Sequence, residues 1–130
     1  MDIRSKAVAQ TSVLELRDAN DELMQGVTVT VYGPGSKQYA AAQARQSNRM
    51  IDALKKKGKT DQSAQQKAAE TAEFLADVTV EFNGLEYDAL TGRELALAVY
   101  SDTSIGFIAD QIAKHVSDWS NFSKPATTNS

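Results

Sequence analysis

The stretch Ala53-Leu54-Lys55-Lys56-Lys57-Gly58-Lys59-Thr60 comes nearest to a catalytic signature, fitting a loosened phosphate-loop pattern with alanine in the first glycine's place. That chemistry needs a flexible loop between a buried strand and a helix, so that backbone donors wrap the phosphates. Here Met50 to Lys57 reads as the end of a helix, and three lysines stand where small residues belong. A helix terminus explains the stretch better than a nucleotide site. Gly33-Pro34-Gly35-Ser36-Lys37 could likewise offer free donors to an anion, but the same residues make a plain strand-to-helix turn. His115 is the only histidine, and Gln111 and Asp118 are poor company for zinc. It reads as a surface or stripe-edge residue. Glu81, Glu86, Asp88 and Glu94 are carboxylates without a recognisable acid/base pairing. There is no cysteine, so disulfides, thiolate metal sites and cysteine nucleophiles are excluded. A serine nucleophile elbow is also absent. The expectation is a non-catalytic protein that needs no cofactor or metal.

The elements around these residues follow from hydrophobic spacing. Residues 12–17 alternate apolar and polar, as does the β-branched run Val27 to Tyr32, which predicts two half-buried strands. Asp18 to Glu22 between them is rich in residues that favour turns, so the strands form a hairpin. Gly33-Pro34-Gly35 stops the second strand, and Ser36 caps a helix running to about Lys57. Gly58 ends it, and Lys55, Lys56 and Lys57 suit the negative end of its dipole. Asp61 caps a second helix, along which Ala64, Ala68, Ala72, Leu75, Val78 and Phe82 fall three or four residues apart. Residues 78–82 also alternate, so a strand there is the alternative. Helix is preferred because Asn83-Gly84-Leu85 looks like a helix ending. Thr91 and Glu94 match a capping box opening a short helix to about Tyr100, with Leu95, Ala98 and Val99 inward. A last helix carries Ile105, Ile108, Ile112, Val116 and Trp119 on one face. The fold class is therefore α+β, an N-terminal β-hairpin or short antiparallel sheet followed by about four helices. Residues 1–122 form one domain and residues 123–130 a polar, flexible tail.

A chain of 130 residues, 42% of them hydrophobic, can bury a core without staples. No targeting segment and no membrane-length apolar run is visible, which makes the cytoplasm the expected location and a membrane partner unexpected. The net charge of −3 is unevenly spread. Residues 1–35 carry three basic and five acidic side chains, residues 36–67 eight and two, and residues 68–130 three and ten. A basic middle facing an acidic C-terminal half could drive self-association or serve two partners, although charge runs are most often just a solvated surface. The basic stretch Arg45 to Lys67 could touch a phosphate backbone. Its cations are not interleaved with aromatics, and the chain as a whole is acidic, which weighs against nucleic acid.

Taken in order, Val31-Tyr32-Gly33-Pro34-Gly35-Ser36, then Phe74-Leu75-Ala76-Asp77-Val78-Thr79-Val80-Glu81-Phe82-Asn83-Gly84-Leu85, then a final amphipathic helix ending at Trp119-Ser120-Asn121-Phe122, resemble the tail assembly chaperones of long-tailed (siphophage-type) bacteriophages. The likeness spans nearly the whole chain and rests on the order of its turns and caps. Asp18 to Gln25 carries no feature of that family. The resemblance implies a homo-oligomer of the host cytoplasm, absent from the mature virion. Such a protein binds the tape measure protein, keeps it soluble and recruits tail tube protein, often with a longer form made by ribosomal frameshifting. Such a role requires an exposed apolar surface. The candidate protein-binding residues are Tyr39, Met50, Ile51 and Leu54 on the first helix, whose alanine-rich face permits close helix packing, and Ile105, Ile108, Ile112, Trp119 and Phe122 near the C-terminus. Ordinary core is the competing explanation for both groups. Two other classes stay open: a structural virion component such as a head-tail joining or tail protein, which would be found in purified particles, and a small nucleic-acid binder.

Overall fold

The computed structural model describes residues 1–57 and 64–123. The hairpin forms as the alternation requires. Strand β1 (Thr11–Arg17) pairs antiparallel with β2 (Leu23–Tyr32), Leu14 opposite Val29, with a bulge between Glu15 and Arg17. The connecting turn is held by Asp18, whose Oδ1 accepts from the backbone of Asn20 and Glu22 at 2.9 and 3.1 Å. Leu16, Val29 and Val31 point into the core, while Val13 faces out. Helix α1 (Lys37–Lys57) starts where Ser36 places it. Ser36 Oγ accepts from Tyr39 N at 3.1 Å and donates to Gly33 O at 2.7 Å, so one buried side chain ties the turn to the helix. The expected stop at Gly58 and cap at Asp61 lie outside the described residues.

Helix α2 (Ala64–Val78) does not continue to Phe82; residues Thr79–Asn83 form strand β3 instead, giving a three-stranded sheet in the order β1-β2-β3. The three-and-four spacing through Phe82 satisfied a helix equally well, but β2 has a second edge whose backbone groups need partners. β3 supplies them, setting Phe82 opposite Val29 in the same row as Leu14. At the junction Thr79 Oγ1 donates back to Leu75 O at 2.8 Å and lies 2.6 Å from the Tyr100 hydroxyl. Asn83-Gly84 thus ends a strand. Gly84 has φ +75°, and any side chain there would run into the Gly26 carbonyl. The part of the family resemblance that reads Phe74–Leu85 as a helix with an Asn-Gly stop changes accordingly.

Helix α3 (Gly92–Ser101) begins at Thr91, but the capping box does not form: the Thr91 side chain makes no cap bond. Glycine at the first helical position, with φ +59°, turns the entry away from the usual cap geometry. Leu95, Ala96, Val99 and Tyr100 are buried, whereas Ala98 is only half-buried. Helix α4 (Gly106–Val116) buries Ile108, Ile112 and Val116. A 3-10 turn, Trp119–Phe122, follows it, so Trp119 leaves the apolar stripe its spacing seemed to extend. Asp118 caps this turn through Ser120 N at 2.9 Å, and Phe122 folds back into the core. The sheet's inner face, α2, α3, α4 and Phe122 meet in one buried cluster, to which α1 contributes, among the described residues, Ala42. The architecture is α+β, and no helix among the described residues is long and apolar enough to cross a membrane.

Candidate protein-binding surface

Among the described side chains of α1, those not exposed are Tyr39, Ala42, Gln46, Arg49 and Ala53. Their spacing of 3, 4, 3 and 4 marks the seam on which α1 lies against α2. Gln46 and Arg49 make it partly polar, and Arg45 adds a charge at its exposed margin. Arg49 Nε lies 2.8 Å from Glu73 Oε2, and Arg45 Nε lies 3.1 Å from Asp77 Oδ2. Asp77, only 7% exposed, is also bonded by Arg93, so one carboxylate joins α1, α2 and α3. Tyr39 is committed edge-on to Phe74, with ring centroids 5.4 Å apart.

The large apolar residues of α1 are elsewhere. Met50, Ile51 and Leu54 are 51%, 50% and 42% exposed. At 3.6 residues per turn they lie roughly 60°, 160° and 100° around the helix from the centre of the seam. A helix that needed only to cover its own neighbour would carry these side chains on the seam. Here Gln46 and Arg49 take seam positions, and the large apolar side chains stand to one side of it. The sequence holds Lys55 and Lys56 beside the apolar residues, so the stripe has a cationic margin. Among the described side chains of α2, those fully buried lie from Ala72 onward, so the α1 stripe lies level with the part of α2 that they do not reach.

The remaining candidates divide. Ile108, Ile112 and Phe122 are 4%, 0% and 1% exposed, and Ile105 is half-buried against the same cluster. As binding residues they are corrected to core: α4 lies against the sheet and α2, and that packing uses the face its periodicity displays. Tyr39 belongs to the α1–α2 seam. Of the alanine-rich face, Ala42 is buried and Ala40, Ala41 and Ala44 are in solvent. Trp119 is exposed, but it lies beside Gly35 at the start of α1, roughly 25 Å from Leu54 along the helix at 1.5 Å per residue. The structure therefore brings together Met50, Ile51 and Leu54, and leaves Trp119 apart from them.

His115 lies at the edge of the core. Its Nε2 is 2.9 Å from Ser12 Oγ on β1, and its ring stands 5.5 Å from that of Phe122. Burial pushes its pKa below the ordinary histidine value, with Asp118 opposing weakly. Among the described residues, no three His, Cys, Asp or Glu side chains are grouped to hold a metal. Arg45 and Arg49, two cations of the basic stretch, are turned to Asp77 and Glu73 and so are engaged within the chain. Missed in the sequence were the Asp77 clasp and a hollow of about 610 Å³ beside β3. No spacing in the sequence signals the first, because Arg45 lies off the 3-4-3-4 seam; the second depended on β3 being a strand. Comparison with protein-family models, curated proteins and solved structures finds no match for this chain.

Proposed function

We propose that this protein is a non-catalytic tail assembly chaperone of a long-tailed phage, which holds the tape measure protein in solution and promotes addition of tail tube protein around it. The observation that carries the reading is helix α1, which sets Gln46 and Arg49 on its seam and leaves Met50, Ile51 and Leu54 half-exposed beside it. An elongated helical client has an apolar stripe of its own, and such a stripe lies naturally against an exposed one. Full burial of one large apolar side chain contributes about 1.5–3 kcal/mol, so covering three that are already half-covered adds about 3 kcal/mol in total. One copy would hold a client weakly and release it readily. Several linked copies would hold it firmly by avidity, which is how a homo-oligomer would suit the task.

Co-expression with the tape measure protein of the same phage tests this. The client is expected in the soluble fraction with the chain present and in the pellet without it. A client that stays in the pellet either way contradicts the proposal, and recovery of the chain as a stoichiometric part of purified particles would move it to the structural class.

A further inference from the structure

After β3, the chain turns at Gly84 and runs back to α3, whose Arg93 reaches Asp77 at the other end of the strand. The returning segment, residues 85–91, therefore lies alongside β3, and between them is the hollow of about 610 Å³. Among the described residues no backbone hydrogen bond joins the two walls. β3 is an edge strand paired only with β2, so its outer row of N–H and C=O groups faces this slot. The slot is lined with apolar side chains from both walls and from α3, chiefly Phe82, Leu85, Leu90 and Leu95. Ala89 in the far wall and its neighbour Asp88 hold φ of +58° and +49°, a conformation that side chains other than glycine adopt reluctantly.

The other edge of the sheet is treated differently. On β1, the Gln111 side chain accepts from Arg17 N at 2.8 Å and donates to Arg17 O at 2.7 Å, replacing a strand partner at the bulge. Among the described residues, none covers β3 in this way. Charge then selects the occupant. Asp77 is neutralised by Arg45 and Arg93, whereas Glu81 and Glu86 in the slot walls, and Asp88 and Glu94 beside them, form no ion pair among the described residues.

We infer that the β3 slot is a peptide-binding site, taking an extended segment of a partner protein as a fourth strand. Five residues of β3 at about 3.3 Å each accept a segment of four or five residues. Its alternate apolar side chains enter the slot, and lysine or arginine at its ends meets Glu81 and Glu86. This inference stands apart from the chaperone reading, because it concerns a different surface and an extended ligand.

The test uses the full chain and three fluorescein-labelled peptides: alternating valine and threonine flanked by lysines, the same with glutamates for lysines, and the lysine peptide N-methylated along one edge. The lysine peptide should bind saturably and shift the backbone amide signals of residues 79–83 and 85–91. The glutamate peptide should bind at least tenfold more weakly, and N-methylation should abolish binding. Glu81→Lys with Glu86→Lys, both at exposed positions, should weaken the lysine peptide about tenfold, the product of two surface charge pairs. No saturable binding of the lysine peptide, binding indifferent to N-methylation, or signal shifts elsewhere would overturn the inference. So would self-association that the double variant abolishes while no peptide binds, since the occupant would then be a second copy of the chain.

Discussion

Replacing Gly33 by alanine should be among the most damaging single-methyl changes available in this protein. A Cβ at Gly33 would stand 2.6 Å from Cγ of Phe122 and closer still to the ring's edge carbons. Gly33 is not in the left-handed region, so the backbone itself would tolerate alanine and the whole cost falls on Phe122. That ring is 1% exposed and is fixed from behind by Ala9 N donating to Phe122 O at 2.7 Å. It has little room to yield. Complete loss of a buried phenylalanine costs about 3–5 kcal/mol, and partial displacement should cost about 2–4 kcal/mol. Urea unfolding followed by circular dichroism measures this in Gly33→Ala, Phe122→Ala and the double variant. If the clash is the cause, it vanishes once the ring is gone, so the double variant should be about as stable as Phe122→Ala alone. Strict additivity, or a Gly33→Ala variant within about 0.5 kcal/mol of the parent, would refute the reasoning.

Asp77→Ala leaves the Arg45 and Arg93 guanidinium groups without their shared carboxylate. Because both arginines are half-exposed, the loss should be about 2–3 kcal/mol rather than the full cost of a buried pair; chemical unfolding reads it. The depressed His115 pKa means that the folded state disfavours the charged ring. Its contribution is complete above the unfolded value of about 6.5 and is lost as pH falls below it. Stability should therefore rise from pH 5 to pH 7, and His115→Gln, which can still bond Ser12, should flatten that rise in thermal melts. Asp102 and Asp118, whose pKa values are lowered chiefly by side-chain bonds from Ser104 and Ser120, lose their contributions only below about pH 4. The two effects are thus separable.

The hairpin, the Ser36 cap and the four helices were legible because each is written in local chemistry: alternation, a capping hydroxyl, a three-and-four repeat. Residues 78–82 were not. Their spacing fits both periods, and the choice was made by β2, which is far away in sequence and needed a second partner. The capping box at Thr91 failed for a related reason, since the local signature is correct but Gly92 enters the helix along another path. Periodicity also shows an apolar face without saying what covers it. It described the Ile108 and Ile112 stripe, which is core, in the same terms as Met50, Ile51 and Leu54, which are not. What separates them is the seam of α1, which small and polar side chains fill and which is visible only once Tyr39 and Arg49 are seen to reach Phe74 and Glu73.

The central claim is that the α1 stripe exists to touch another protein and not to hold this one together. The direct measurement compares the purified chain with a Met50→Ser, Ile51→Ser, Leu54→Ser variant in a binding titration against the tape measure protein, beside urea unfolding of both. The account predicts an affinity lower by about 100-fold, the equivalent of the roughly 3 kcal/mol these side chains gain on being covered, in a variant that unfolds earlier in urea but is fully folded in the titration buffer. Equal affinity in the two folded proteins would contradict it.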